Sequence, residues 1–196
     1  MKVFGLALIS FLGCSSFCQA EVTFHEGVVV LRTGVIVSGK ISVASFQLAL
    51  VEIGDTRQVY PSHLIDKIRF YDEEHSINRQ FVSVSSDLTK EFSLYEKIVA
   101  GAATVMRKPK SSTWQSTKVT VLDHEQFEYY VMWNGEIVPI NKTKKAFFDE
   151  WNIMISDQLA SYVKEVHLNL YDTADLIRLI QYYNQSVRHK PLLAGL

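Results

Sequence analysis

Cysteine is almost absent from this sequence of 196 residues, and its two copies, Cys14 and Cys18, both lie near the start. If the first 20 residues are removed, the remaining chain has no cysteine. This excludes a disulfide framework, a thiolate metal site and a cysteine nucleophile from the mature protein. The hydrophobic core must then hold the fold without covalent bridges, and a chain of this length buries enough surface to do so.

An excess of one charge sign is also missing. The sequence has 20 Lys and Arg residues against 21 Asp and Glu residues, for a net charge of −1. Electrostatic binding of nucleic acid needs a basic face, so this balance predicts no nucleic-acid partner. Beyond residue 20, no stretch is apolar and long enough to predict a transmembrane span. The familiar hydrolase, zinc-protease and phosphate-loop motifs are absent too, so we predict no catalytic residues, no metal ligands and no cofactor.

The first twenty residues have the pattern of a secretory signal peptide. Lys2 is followed by an apolar run from Val3 to Leu12 and then by small and polar residues, and the first acid is Glu21. The apolar run is about half as long as the roughly 20 residues that cross a bilayer. We therefore predict an exported protein, periplasmic or extracellular, that is cleaved between Ala20 and Glu21. The alternative is that this segment is a buried strand or helix of the mature fold.

Lipidation is a second processing route for the same leader. The segment from Phe11 to Cys14 resembles a bacterial lipoprotein signal, in which a cysteine after a small residue is lipidated. Gly13 and Cys14 fit that pattern, whereas Phe11 and Leu12 fit it poorly. Cys14 is thus a candidate lipidation site, and the alternative is that both cysteines belong to a discarded peptide.

The period of the hydrophobic pattern changes about halfway along the chain. From Gly27 to about Ile140 the pattern is mostly that of strands, and from about Thr143 to Val187 it is mostly that of helices. This order predicts an α+β fold with a strongly bent antiparallel sheet or half-barrel, a central β-hairpin and three C-terminal helices. The predicted units are a leader (1–20), a β-rich module (21–90), a mixed segment (91–142), a helical part (143–187) and a flexible tail (188–196).

Two local signals are stronger than the rest. The run from Phe127 to Trp133 alternates, and Asn134-Gly135 then favours the type I′ turn of a hairpin. Pro139 cannot donate a ladder hydrogen bond, so the returning strand should lie at a sheet edge.

The segment from Ser93 to Lys108 is ambiguous between a helix plus a strand and two strands. The three helices are predicted over Lys144 to about Met154, after an N-cap at Ser156, and after an N-cap at Asp172 or Thr173. The last of them has a buried stripe of Leu176, Leu179, Ile180 and Tyr183.

Two stretches carry a family resemblance. The first comprises Leu31 to Gly34, Gly39 to Ile41, Val59 to Pro61 and Leu64 to Ile68; the second comprises Phe148, Asp175 to Ile177 and Tyr183-Asn184. The first resembles small β-rich modules of exported bacterial proteins and is also similar to Sm-type or SH3-like barrels. The second resembles the helical end of uncharacterised exported proteins of Gram-negative bacteria. The resemblance implies an envelope protein and supplies no catalytic residues.

Two clusters of ionisable residues are candidate chemical sites. Asp72, Glu73, Glu74 and His75 could offer oxygen ligands to a hard cation, but they lack the spacing of a calcium loop, which favours a solvated turn. Asp123, His124 and Glu125 could offer a metal site or an acid–base pair, although strand neighbours point to opposite faces. Neither cluster is assigned as a catalytic or metal site.

Exposed aromatic and basic residues suggest a binding surface instead. Tyr130, Trp133 and Tyr182 are candidate members of such a surface, because tyrosine and tryptophan stack on ligands and partner proteins. The alternative is that these rings pack in the core.

The basic run Arg107, Lys108 and Lys110 could touch an anionic lipid or polymer, although a solvated loop is favoured. Asn141 and Asn184 each begin an N-glycosylation sequon, which matters only in a eukaryotic source.

These observations predict an exported envelope protein that acts as a non-enzymatic interaction or structural module, with an envelope protein as its partner. Two alternatives remain open. One is a hydrolase of an envelope polymer that uses acids from 72–74 or 123–125. The other is a carrier of a small hydrophobic ligand. The sequence leaves the oligomeric state undecided.

Overall fold

A single antiparallel sheet of ten strands forms the body of the protein. The structure, a computed structural model, describes residues 23–85, 91–111, 124, 126–143 and 153–188. The strands are β1 (His25–Leu31), β2 (Ile36–Ser45), β3 (Leu48–Ile53), β4 (Thr56–Pro61), β5 (Ile65–Asp72), β6 (Ile77–Ser85), β7 (Phe92–Val99), β8 (Ala103–Pro109), β9 (Phe127–Trp133) and β10 (Glu136–Pro139). Short 3-10 turns at Ser62–Leu64 and Ile140–Lys142 follow β4 and β10.

The strand order is β10-β9-β8-β7-β6-β5-β1-β2-β3-β4. Every neighbouring pair is antiparallel, and only the pair β5–β1 joins strands that are not consecutive in the chain. The two edge strands, β4 and β10, do not pair with each other, so the sheet is open. The prediction that Pro139 marks an edge strand is confirmed, because β10 pairs only with β9.

The predicted hairpin is confirmed in its turn as well as in its strands. Trp133 pairs with Glu136, and the connecting residues Asn134 and Gly135 have φ angles of 50° and 86°. Positive φ at both central positions is the signature of the type I′ turn, whose twist matches that of the strands. Asn and Gly tolerate this backbone region better than other residues, which is why the sequence signal was clear here.

Two helices pack on one face of the sheet: α1 (Ile153–Val166) and α2 (Thr173–Arg188). Asp172 is the N-cap of α2, because its Oδ1 accepts a hydrogen bond from the amide of Asp175 (3.1 Å), as predicted. The predicted N-cap at Ser156 is wrong, since Ser156 lies inside α1. The predicted buried stripe of α2 is confirmed, with Leu176, Leu179, Ile180 and Tyr183 all buried.

One face of the sheet carries both hydrophobic cores. Directly paired residues of antiparallel strands project to the same side, and one such row crosses six strands: Val29, Ile68, Phe81, Glu96, Arg107 and Tyr129. The first core lies at the β1 end of this row and the second at the β9 end, under the helices. We call this side the helix face, and the opposite side the outer face.

The predicted fold class is wrong. The protein is one open ten-stranded sheet rather than a bent sheet or half-barrel, a separate hairpin and three helices. The segment from Ser93 to Lys108, which the sequence left ambiguous, accounts for the difference between the predicted and the observed fold. It forms β7 and β8 and thereby joins the hairpin to the first strands. The described part of the chain has two α-helices. The predicted helix from Lys144 lies outside the described residues except at its end, where α1 begins.

Neither described helix combines the length and apolar character that a membrane crossing needs.

Candidate functional site

The most unusual feature of the interior is a row of charged side chains. Asp72 ends β5, Arg79 lies on β6, Glu96 on β7 and Arg107 on β8, while His75 lies in the turn between β5 and β6. The register places them beside one another on the helix face, between the two hydrophobic cores. We call these five residues the buried ion-pair chain.

Charges alternate along this chain at hydrogen-bond distance. Arg79 Nε lies 2.6 Å from Asp72 Oδ2, and Arg79 Nη1 lies 2.7 Å from Glu96 Oε1. Arg107 Nε lies 2.6 Å from Glu96 Oε2. The exposed fraction is 0% for Asp72, Glu96 and Arg107 and 3% for Arg79. Ions so deeply buried persist only when paired and hydrogen-bonded, and here two carboxylates face two guanidinium groups.

The predicted solvated turn is therefore wrong for Asp72, although Glu73 and Glu74 are exposed. The sequence predicts a loop at Asp72 because three acidic residues and a histidine are consecutive there. Its buried position depends on Arg79 and Glu96, which come from other strands. No local pattern carries that information, although the alternation of β6 around Phe81 places Arg79 on the buried side.

Asp72 is held ionised. Burial alone would raise the pKa of its carboxyl group, but hydrogen bonds from Arg79 and His75 outweigh that effect and lower the pKa from 3.8 to about 2. The amide of His75 donates to Oδ1 (3.1 Å), and the ring Nδ1 of His75 lies 2.9 Å from Oδ2. A carboxyl group with so low a pKa is a poor general acid or base near neutral pH.

Asp72, Glu74 and His75 also bring potential metal-ligand atoms within 4.8 Å of one another. However, Asp72 Oδ2 already accepts from Arg79 and contacts the ring of His75. A cation at Asp72 Oδ2 would face the guanidinium of Arg79 at close range. The arrangement therefore favours a structural role for Asp72 over metal binding.

A pH-dependent stability follows from the lowered pKa of Asp72. A carboxyl group with a depressed folded-state pKa contributes stability above pH 4, and this contribution is lost as the pH falls from about 4 through about 2. We expect D72N to be less stable than wild type by about 2 kcal/mol at pH 7. The difference should shrink between pH 4 and pH 2 in urea-unfolding curves. The exposed Asp66 of the same strand is the control: D66N should match wild type throughout, and an equal effect of both variants would contradict this account.

A second candidate site lies on the outside of the helices. Asp157, Gln158, Ser161, Tyr162 and Glu165 of α1 line a shallow groove of about 360 Å³ with Tyr182 of α2. We call it the helix groove. Its four polar residues are exposed, and their spacing along α1 places them on adjoining rows of one helix face. The rings of Tyr162 and Tyr182 stack at 4.0 Å with an interplanar angle of 2°.

The three aromatic residues proposed as a binding surface do not meet. Tyr182 lies in the helix groove, half-buried. Trp133 pairs with Ala103 and packs, also half-buried, against the core beneath the helices. Tyr130 projects to the outer face, where its ring contacts Tyr95 edge-on at 5.3 Å and its hydroxyl donates to Glu128 Oε2 at 2.6 Å. Burial and this acceptor raise the pKa of Tyr130.

The basic run of the sequence is divided by the pleat of β8. Arg107 points inward and belongs to the buried ion-pair chain, with its guanidinium 4.2 Å from the ring centre of Phe127. Lys108 points outward, and its Nζ lies 5.3 Å from the ring centre of Phe46. Lys110 is exposed and donates to the carbonyl oxygen of His124 (2.6 Å). The run is thus not a single solvated loop.

Asn184 has a structural role that the sequence did not reveal. Its side-chain oxygen accepts from the amide of Ala103 (2.9 Å), and its side-chain nitrogen donates to the carbonyl of Ala103 (2.7 Å). The residue is 5% exposed and joins α2 to β8. The folded protein therefore does not present Asn184 as a glycosylation site, whereas Asn141 is exposed.

The remaining predicted positions, namely Cys14, Ala20, Glu21, Asp123 and Glu125, lie outside the described residues. No protein-family model, curated protein or solved structure matches this chain. The function must therefore be inferred from the geometry of the buried ion-pair chain and the helix groove.

Proposed function

We propose that this protein is an exported envelope protein that acts as a non-enzymatic interaction module and binds a partner protein through the helix groove. The leader of the sequence supports export, with cleavage between Ala20 and Glu21. The groove is the observation that carries the interaction. It places two stacked tyrosine rings, a residue type enriched at protein interfaces, among exposed polar side chains that would form the rim of such an interface.

The charges of the helix groove favour this function over packing alone. Asp157 and Glu165 lie two helical turns apart, about 12 Å along the axis, on either side of Ser161. Among the described residues neither carboxylate has an ion-pair partner within 4 Å. Tyr162 and Tyr182 also pack against the core beneath them, so the rings are held rigidly. A rigid aromatic floor loses little entropy when a partner binds.

The buried ion-pair chain supports the non-enzymatic part of the proposal. Asp72, the most buried acid of the 72–74 cluster, is held as an anion by Arg79 and His75. Glu96 is bonded to two arginine side chains. Both carboxylates are fully buried and bonded to arginine side chains, whereas the neighbouring Glu73 and Glu74 line a separate cleft of about 520 Å³.

Site-specific photo-cross-linking in the native cells tests the proposed interaction. A photoreactive residue in place of Gln158, which is exposed in the helix groove, should give a discrete adduct with one envelope protein. The double variant D157K/E165K should abolish that adduct, because it reverses both groove charges without touching the core. The same photoreactive residue in place of the exposed Gln185, outside the groove lining, is the matched control. Equal adducts from both positions, or an adduct that survives the charge reversal, would refute the groove as the interface.

A further inference from the structure

The outer face of the sheet carries three neighbouring cations: Lys67 and Arg69 on β5 and Lys97 on β7. Arg69 pairs with Gln80, and Lys67 pairs with Val82, which in turn pairs with Tyr95. Paired residues share a face and alternate residues along a strand do too, so all three cations surround Gln80 and Val82 on β6. We call Lys67, Arg69 and Lys97 the basic sheet patch.

The positive charge of this patch is accessible and poorly compensated. Arg69 is exposed, Lys97 is half-buried, and the side chain of Lys67 is 39% exposed. Burial and the nearby cations Arg69 and Lys67 lower the pKa of Lys97, while Asp66 opposes the effect. The described residues give the three cations one ion pair, between Lys67 and Asp66 at 3.8 Å, and exposed pairs of that kind contribute little.

The spacing of the cations points to the shape of the ligand. Lys67 and Arg69 are two residues apart on one strand, about 7 Å, and Lys97 lies two strands away, about 10 Å. An extended polypeptide presents alternate side chains on one side at the same spacing of about 7 Å. Carboxylates at positions i and i+2 of such a segment match Lys67 and Arg69.

We propose that the basic sheet patch binds an acidic, extended segment of a partner polypeptide. A membrane surface is the less suitable occupant, since the chain as a whole carries a net charge of −1 and has no general attraction to an anionic surface. The proposal stands on different residues from the helix groove and lies on the opposite face of the sheet. It adds a second binding surface to the protein.

Titration of the purified protein with a synthetic peptide tests this proposal. The probe is a ten-residue peptide of alternating glutamate and threonine, and glutamine replaces glutamate in the control peptide. We expect the acidic peptide alone to bind. The variant K67E/R69E should weaken binding about tenfold or more, as loss of two exposed charge contacts at roughly 0.7 kcal/mol each predicts. Added salt at 0.5 M should weaken binding similarly.

The controls separate the patch from the general charge of the protein. K142E reverses an exposed lysine outside the patch and should bind the acidic peptide as wild type does. The milder K67Q/R69Q should lose affinity as well, and its melting temperature reports whether the fold is intact. No binding by wild type, or equal binding by wild type and K67E/R69E, overturns the proposal. Patch-dependent binding to phosphatidylglycerol vesicles in place of the peptide would assign the surface to lipid and also overturns it.

Discussion

Replacement of Glu96 by alanine should lower the free energy of unfolding by about 3–5 kcal/mol, one of the two largest effects we expect from a single substitution. Glu96 accepts from Arg79 at one carboxylate oxygen and from Arg107 at the other. Without it, Arg79 and Arg107 each lose a carboxylate partner in the interior. A buried cation without its counter-charge costs far more than the pair itself gains. Natural domains are stable by about 5–15 kcal/mol, so this loss is a large fraction of the total.

Urea-unfolding curves at neutral pH measure the effect, and a matched ion pair serves as control. Glu52 pairs with Arg57 near the other end of the sheet, where both side chains are partly exposed. E52A should cost less than about 1 kcal/mol. E96Q keeps the shape of the side chain but removes its charge and replaces one acceptor oxygen by an amide donor, so it measures the loss of the charge together with one hydrogen bond. A loss below 1 kcal/mol for E96A would show that the two arginine side chains find other partners.

The second large effect concerns the attachment of the helices to the sheet. N184A should lower the free energy of unfolding by about 2–5 kcal/mol, because it leaves two buried backbone groups of Ala103 without partners. The neighbouring Gln185 is exposed, so Q185A should change stability by less than about 0.5 kcal/mol. Thermal unfolding by circular dichroism measures both variants.

Gly101 offers an independent check of the same contact. A Cβ atom at this position would lie 2.2 Å from Cγ of Asn184, a side chain that its two hydrogen bonds hold in place. G101A should therefore destabilise the protein by displacing Asn184, and the double variant G101A/N184A should cost less than the sum of the two single changes. Additive losses would contradict a shared contact.

The sequence correctly predicted those structural features that depend on residues close together in the chain. The hairpin at Asn134-Gly135, the edge position of Pro139, the N-cap at Asp172 and the buried stripe of α2 all rest on turn chemistry or on a period of a few residues. These signals are local, so they are readable without the fold.

The sequence failed where the outcome depends on residues far apart in the chain. β7 and β8 gave no clear period, because buried residues on both faces of each strand blur the alternation. The same limit applies to the candidate sites. Asp72, Arg79, Glu96 and Arg107 come from four strands, and nothing near any one of them in the sequence indicates the other three. The helix groove also combines residues of two helices, α1 and α2. Of its lining residues, the sequence indicated Tyr182 alone as part of a binding surface.

The position of β1 has a consequence for how the protein folds. The strands from β1 to β4 and those from β5 to β10 form two meanders, each built from pairings between consecutive strands. Among the described strands, the contact of β1 with β5 is the one pairing of strands that are not consecutive in the chain. Closing the long loop from Leu31 to Ile65 costs more chain entropy than forming the β1–β2 hairpin. Assembly of the whole sheet from its two halves therefore depends on a single pairing, and we expect β1 to pair with β5 later than the hairpins form.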